Sequence, residues 1–525
     1  MVRRVPSLIG AFVAWACIAN ACQVDKSGYT FDGHSGGSGS GGAAGAAGVG
    51  ASTADSGSSG DMGGSAGSTG SAGEGATTPG GTGAGTGGTG QAGAPGESGA
   101  SSGGNAGDGQ VGGGGGGGAI DCDVGSHACA RTGACALDTD ATACGATCVK
   151  CAVPSGGKAV CQSGVCGVDC GQNATCGTTC AVLASDSANC GACGHDCGVG
   201  AGCVAGVCTP ASLTATAQNV SGGVAVDPSG IYFGDGTKIV TCPLDGCTLA
   251  PKQIWSATYV RQISAGQGNV AWVGQTDVGR TAINKCAVAS CTPATVASGD
   301  AINTVDSPKI VGRSLLYHQN AYGVPAYVAD HINCSPLATG GCAGMTSYVG
   351  KAPFASDGTS LAFFPTAMNA PTTFVACPFT ATTCTPIGLA PTSGVIAAAA
   401  AENIFYMAWS GMVGPNPTRM IQSCSLAGCT TATKITNTPT TETVVDVVAD
   451  SSGVYWAYGG DTGSIWMCPA GGCVGGARQI AESQANPFSL QLYGNFVYWG
   501  AQGLTANPTA AGTFGLRRVA KPLIQ

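Results

Sequence analysis

"VYWAYGGDTGSIWMCPAGGC", residues Val454 to Cys473, sets an aromatic pair, a Gly-Asp-Thr-Gly turn and two cysteines five positions apart within twenty residues. Read alone, it could be a catalytic loop, a metal motif or one copy of something structural. The same order of aromatic strand, turn, second strand and cysteine pair recurs in "IYFGDGTKIVTCPLDGC" from Ile231 and in "IFYMAWSGMVGPNPTRMIQSCSLAGC" from Ile404. The stretch is therefore a repeat unit.

An apolar run ending in an aromatic marks each copy: Phe233, Trp272, Tyr317, Phe363, Tyr406, Trp456 and Trp499, spaced 39 to 50 residues apart. A cysteine follows each of the first six markers by 9 to 18 residues, and its partner stands five to eight further on. The pairs are Cys242 with Cys247, Cys286 with Cys291, Cys334 with Cys342, Cys377 with Cys384, Cys424 with Cys429, and Cys468 with Cys473. In the seventh copy "GLRRVAKP", Gly515 to Pro522, takes the place of "SIWMCPAG", without cysteines. β-branched and aromatic residues broken by Gly, Pro, Asn and Asp, with no long helical periodicity, read as all-β. A period near 45 residues carrying about four short strands is the mark of a β-propeller blade, and seven copies predict seven blades.

Repeat one predicts an inner strand over 223–226, a turn at Asp227-Pro228-Ser229-Gly230, and further strands over 231–233, 238–242 and 253–255. Each cysteine pair is then expected to bridge neighbouring strands of a hairpin, where opposed Cα atoms lie about 4.5–5.5 Å apart. Closing a loop of about six residues is worth roughly 2 kcal/mol. No histidine or carboxylate recurs beside these pairs, so disulfides are preferred to metal ligation. The aromatic markers are expected to fill the space between blades. Asp227, Asp357 and Asp450 sit at comparable turns, where Asp bonds its own backbone two residues on. An exposed sheet edge invites aggregation, so Ala211 to Val220 is expected to pair beside Leu516 to Val519 and close the ring.

The rest of the chain sets the context. Only 9 % of residues are charged, against roughly 25 % in ordinary soluble domains, and the net charge is −8 without a basic cluster. Nucleic acid is excluded as a partner on that ground. "MVRRVPSLIGAFVAWACIANAC" reads as a secretion signal, with Arg3 and Arg4 ahead of an apolar run too short to span a membrane comfortably. Residues 1–21 form the signal peptide, and Cys22 is the lipidation candidate, although Ala19 stands where a lipobox usually has Leu. Cysteine parity agrees, because the clusters from Cys122 onward are even-numbered and leave Cys22 over. The alternative is an unmodified thiol after plain cleavage.

Residues 22–120 are read as a lipid-anchored tether, nearly all Gly, Ser, Ala and Thr from His34 to Ala119. Those 86 residues have an r.m.s. reach of about 50 Å as a Gly-rich coil. Residues 121–208 hold sixteen cysteines and form a disulfide-rich region in which bridges substitute for a core. Two similar modules are visible, Cys144 to Cys166 and Cys190 to Cys208, with Cys170, Cys176 and Cys180 between them. Cys148-Val-Lys-Cys151 and Cys190-Gly-Ala-Cys193 also have the spacing of zinc or thiol-redox centres, and His195 with Cys197 would complete a tetrahedral set. An oxidising compartment and the lack of a βαβ context favour disulfides. Residues 209–525 are the propeller.

The "VYW…G-x-I-W/M-x-C-P-x-x-G-C" units resemble the repeats of exported cysteine-rich propeller lipoproteins of the myxobacterial type, and are distantly similar to YWTD propellers. "NCGACGHDCGVGAGCVAGVC" resembles the cysteine-rich modules that accompany them. The Tyr-Trp-Thr-Asp tetrad itself is absent. The resemblance implies a surface location and a binding role, with no catalytic residues to carry over.

Within the propeller, His318 and His331 are the only histidines, and no Ser/His/Asp set, HExxH or phosphate loop is present. The expected function is a non-catalytic binding or scaffold module on the outer membrane or cell surface, engaging an extracellular protein or glycan. No cofactor or metal is assigned. The cystine modules would act as a stiff stalk. The alternative is a hydrolase or lyase acting on an extracellular polymer, for which Asp446 with Asp306 is the example of a converging carboxylate pair.

Overall fold

The computed structural model describes residues 120–214, 220–247, 250–300, 303–322, 328–339, 341–342, 347–366, 373–380, 384–387, 395–413, 416–428, 432–437, 442–470, 472–473, 476–504 and 514–523. The expected signal peptide, Cys22 and the glycine-rich tether lie outside them. All belong to one compact unit, 119–525. Among the described residues no helix is long and apolar enough to cross a membrane.

The cysteine-rich region is two tandem modules of eight cysteines each, Cys122 to Cys166 and Cys170 to Cys208. In the first, Cys122 pairs with Cys135, Cys129 with Cys148, Cys144 with Cys161, and Cys151 with Cys166. In the second, Cys170 pairs with Cys180, Cys176 with Cys193, Cys190 with Cys203, and Cys197 with Cys208. Both follow one order: first to third, second to fifth, fourth to seventh, sixth to eighth. Each module thus starts upstream of the boundary that the closing cysteine spacing suggests, and Cys170, Cys176 and Cys180 belong to the second module rather than to a spacer.

The duplication reaches the backbone. Gly145 and Gly191 sit at φ +72° and +76°, and a Cβ on either would meet the carbonyl oxygen of Gly164 or Gly206 at 2.6 Å. Only glycine fits there.

Beyond the modules the chain is all-β, and its repeats fold as antiparallel meanders with a propeller-like topology. Repeat one comprises strands Val220–Asp227, Gly230–Asp235, Lys238–Cys242 and Lys252–Ser256, hydrogen-bonded in that order. Repeats two, five and six form four-stranded sheets in the same way. Repeats three and four share strand Ser347–Ser356: its start pairs with Val328–Pro336 and its end with Ser360–Pro365, so the two merge into one seven-stranded sheet.

The last sheet joins Pro487–Tyr493, Phe496–Gln502 and Phe514–Ala520 to Ala211–Ser212 from the other end of the region. Ala211 pairs with Arg518 and Ser212 with Arg517, and Leu213 N donates to Leu516 O at 2.9 Å. This is the pairing expected of Ala211 onward. It ends early, because Thr214 turns to bridge Cys247 in parallel and Val220 already belongs to the first strand of repeat one.

First strands of successive repeats lie side by side and are tied through side chains. Ser264 Oγ accepts from Ile310 N (2.8 Å), Asp446 Oδ2 from Leu490 N (2.9 Å), and Ser489 Oγ from Val224 N (2.9 Å). The last tie connects repeat seven to repeat one. Six of the seven aromatic markers are buried at 4 % exposure or less, and Tyr317 is half-buried. Trp456 packs against Tyr406 and Ala408 of the preceding repeat, which places these rings between sheets as expected. Burial of a ring of this size is worth about 4–6 kcal/mol in transfer free energy.

The cysteine pairs of the repeats need a correction. Cys242–Cys247, Cys286–Cys291, Cys334–Cys342, Cys377–Cys384 and Cys468–Cys473 are bridged; Cys429 lies outside the described residues. They do not bridge neighbouring strands of a hairpin. The first cysteine sits on the third strand, opposite Ile231 in repeat one and Val454 in repeat six, while the second lies in the connection before the fourth strand. That strand begins only at Lys252 in repeat one, too late for Cys247 to stand on it.

Antiparallel order puts the tight turns between first and second strands at the same end of each sheet as these cystine-clamped connections. The hairpins between second and third strands project from the other end. They are longest in repeat three (Ser314–Tyr322 with Val328–Pro336) and repeat five (Ile404–Val413 with Asn416–Ser425).

The second cystine module is seated at the clamped end. Arg518, 3 % exposed, donates through Nη1 to Leu244 O at 2.7 Å and through Nη2 to Val199 O at 3.0 Å, with its guanidinium 4.7 Å from the Phe496 ring centre. Cys190, Cys197, Cys203 and Cys208 share one core with Tyr455, Trp499 and Val519. This module is therefore packed into the sheet body rather than standing free as part of a stalk.

Candidate functional site

The residue types that carry chemistry are mostly committed to internal partners. Asp227 Oδ1 accepts from Ser229 N at 2.8 Å, Asp357 from Thr359 N at 2.9 Å and Asp450 from Ser452 N at 2.9 Å, the turn role expected of them. Asp227 also accepts from Tyr232 OH at 3.2 Å. Burial, with the Asp227 charge adding to it, pushes Tyr232 up to about 12. Burial does the same for Tyr455.

Asp446 and Asp306 are not joined as an acid/base pair. Asp446 accepts from Val447 N and Leu490 N, both at 2.9 Å, and serves the tie between repeats six and seven. Asp306 faces His318 instead.

The cystine modules offer no thiolate. Cys148 and Cys151 pair with Cys129 and Cys166, and Cys190 and Cys193 with Cys203 and Cys176, so neither Cys-x-x-Cys closes on itself. His127 lies beside Cys129 and Cys148, but those sulfurs are bonded to each other. The ring nitrogens of His195 stand 2.5 Å from Cys190 O and 3.0 Å from Lys521 O. That pairs the module with the end of the last strand, and it leaves the zinc set of His195 and Cys197 unassembled.

What remains is a polar cluster in repeat three, at the hairpin end. Alternation along "SLLYHQNAY" puts Leu316, His318 and Asn320 on one face. Leu316 packs with Ile332 against Phe354, Leu361 and Phe363 of repeat four, so this face looks toward the next repeat. Register then lines up Asp306 opposite His318 and Asp330 opposite Asn320, all on the same face. Asp306 Oδ1 lies 3.1 Å from His318 Nδ1, and Asp330 Oδ1 lies 3.8 Å from His318 Nε2.

His318 is 7 % exposed. Its Nε2 and the side-chain oxygen of Asn320 are buried without a hydrogen-bond partner. On the opposite face His331 Nδ1 lies 3.1 Å from Ser347 Oγ, and Asn333 donates to Gln319 at 3.1 Å.

A carboxylate only accepts, so Asp306 holds a proton on Nδ1, and the ring's other nitrogen, Nε2, faces Asp330. Among the described residues no serine, threonine or cysteine is hydrogen-bonded to that nitrogen. His318 is thus set between two carboxylates, with no nucleophile beside it among the described residues. Sequence reasoning named His318 and Asp306 separately and missed the group, because its members come from three strands; the available signal was the period-two spacing of His318 and Asn320 on a strand facing two aspartates.

No known protein family and no curated protein matches the chain. Among solved structures, the acylaminoacyl peptidase of Pyrococcus horikoshii is similar at 13 % identity, with 53 % of this chain and 50 % of that chain covered and a TM-score of 0.35. This chain thus spans half the length of that peptidase. The β-propeller domain of the Trilobed protease from Pyrococcus furiosus, described as having an open velcro topology, is similar at 13 % identity, covering 50 % of this chain and 83 % of that one, with a TM-score of 0.35. BamB from Moraxella catarrhalis is similar at 13 % identity, covering 60 % of this chain and all of its own (100 %), also with a TM-score of 0.35. Scores this low carry no argument about activity.

Proposed function

We propose that the sheets are the blades of a seven-bladed propeller, displayed outside the cell by a lipid anchor at Cys22 and a glycine-rich tether. Its hairpin end binds an extracellular protein or glycan without catalysis. The observation that carries this reading is the asymmetry of the two ends. One is sealed by tight turns, cystines and the second cystine module, while the other carries hairpins of unequal length.

Seven-fold closure is supported by the side-by-side first strands and by the tie from Ser489 to Val224, which links the last repeat to the first. Fixed strands below variable loops suit recognition. Polar but weakly charged surfaces suit neutral glycans or protein surfaces rather than nucleic acid.

The test is site-specific photo-crosslinking in native cells. A photoreactive residue replaces Val278, which is 74 % exposed in the hairpin of repeat two, or Ser229, exposed in a turn at the sealed end. The proposal expects a discrete adduct from position 278 and none from position 229. Equal adducts from both positions would sink it. The anchor is tested separately: Cys22→Ser should release the protein into the soluble fraction, and retention in the membrane pellet contradicts the anchor.

A further inference from the structure

We infer that the Cys129–Cys148 bridge of the first cystine module is an exchange site for an external thiol, with His127 stabilising the departing thiolate and Asp138 as its positioning residue. One nitrogen of His127 and both sulfurs lie within 4.8 Å of one another, and Nε2 stands 3.5 Å from Cys148 Sγ. The ring also faces two oxygens, Asp138 Oδ1 at 2.8 Å from Nδ1 and Ala143 O at 3.1 Å from Nε2. Both oxygens only accept, so the imidazole bonds both with a proton on each nitrogen, as a cation. Its side chain is 17 % exposed, which leaves that charge only partly screened beside the cystine.

The duplicated module supplies the contrast. Its bridge from second to fifth cysteine is Cys176–Cys193. Ala174 stands two positions before Cys176, as His127 does before Cys129, and Leu183 stands three after Cys180, as Asp138 does after Cys135. The His–Asp pair therefore belongs to the first module alone, on a scaffold whose cystine pattern the two share. Cys148 also sits at φ +47°, in the left-handed region that is unfavourable for a non-glycine residue, and neither Cys176 nor Cys193 does.

Access selects the sulfur that is attacked. Cys129 is 6 % exposed and Cys148 half-buried, so the external thiol, its proton lost to solvent, attacks Cys148 Sγ. The bond to Cys129 breaks, its electron pair leaves on Cys129 Sγ, and Cys148 carries the thiol as a mixed disulfide. The departing sulfur lies within 4.8 Å of the imidazolium, and a thiolate beside a cation leaves faster. A second external thiolate then attacks the mixed disulfide and releases the oxidised dimer of the thiol, so two thiols give up the two electrons that the cystine gains. Without such a thiol the bridge stays closed.

Full-length oxidised protein is pulsed with reduced glutathione at neutral pH, blocked with N-ethylmaleimide and mapped by peptide mass spectrometry. Glutathione on Cys148 with maleimide on Cys129 should form about tenfold faster than any adduct at Cys176–Cys193, although Cys193 is the more exposed cysteine. His127→Gln should abolish that lead and Asp138→Asn should reduce it, with Cys176–Cys193 keeping its rate in both. Should these variants fail to fold, the order of opening in the unmodified protein is the test, and Ala174→His with Leu183→Asp should speed the opening of Cys176–Cys193. Unmodified protein that opens Cys176–Cys193 first would overturn the inference, because exposure alone would then set the order. A lead that persists unchanged in His127→Gln would overturn it too.

Discussion

Arg518→Met tests whether the second cystine module and the pairing of Ala211–Ser212 with the last sheet form one cooperative structure. Methionine keeps an apolar stem beside Phe496 but removes the guanidinium. Two hydrogen bonds are lost, to Leu244 O at 2.7 Å and to Val199 O at 3.0 Å, along with the stacking at 4.7 Å. Hydrogen bonds from a charged donor contribute about 1.5–3 kcal/mol each, and desolvated cation–π stacking about 1–2 kcal/mol. Relief from burying the guanidinium offsets part of this, so the expected net loss is about 2–4 kcal/mol.

Because Arg518 joins repeat seven, the connection in repeat one and the module, the loss should be local. Native-state hydrogen exchange is the assay. Protection of Phe514–Ala520 should fall about 30- to 1,000-fold, while the seven-stranded sheet of repeats three and four keeps its protection. A fall of less than tenfold at Phe514–Ala520, or an equal fall in every sheet, would refute the reasoning.

Three further outcomes are expected. Replacing Cys190 and Cys203 together by serine opens a loop of 13 residues and should cost about 3 kcal/mol, with the fluorescence of Trp499, a member of the same core, reporting the transition. Gly191→Ala should lower the yield of correctly bridged protein on oxidative refolding, because its Cβ would strike Gly206 O at 2.6 Å; Gly194→Ala meets nothing within 4 Å and serves as a control for the left-handed backbone alone.

Asp450 is pulled both ways: burial raises its pKa, but bonds from Lys521 and Ser452 outweigh that together and hold it below the ordinary carboxylate value. A depressed folded value means stability present above the unfolded pKa and lost as pH falls through the folded one. The contribution should therefore fade below about pH 4, and Asp450→Asn should show a shallower acid limb in pH-dependent melting than the unmodified protein.

Much of the fold was legible because the repeat prints two periodic signals at once. Aromatic markers fixed the second strand of every copy, and the observed strands of repeat one start or end within a few residues of the expected ones. The pairing of Ala211 with the last sheet was legible because Ala211 to Val220 stands ahead of repeat one, where an outer strand would fall. Other features depend on spacing in three dimensions. Cysteine order alone allows many pairings, and only the fold selects the shared pattern of both modules.

The packing of Cys190 to Cys208 into the sheet body has no compositional signal, since small residues and cystines read the same whether covered or exposed. Likewise, Ser347–Ser356 serves two sheets by changing partner along its length, with a register shift between Lys351 and Ala355, which alternation does not distinguish from two short strands. The cluster around His318 was hidden because its members are spread from Asp306 to Asp330 over three strands.

The most direct check on the proposed lipid anchor and on the cystine pattern is intact mass with non-reducing peptide mapping of the mature protein from its native membrane. The account predicts a diacylglyceryl mass on Cys22 and every cysteine from Cys122 onward bridged, with both modules linked first to third, second to fifth, fourth to seventh and sixth to eighth. Free thiols or bound zinc between Cys144 and Cys197, or an unacylated Cys22, would contradict it.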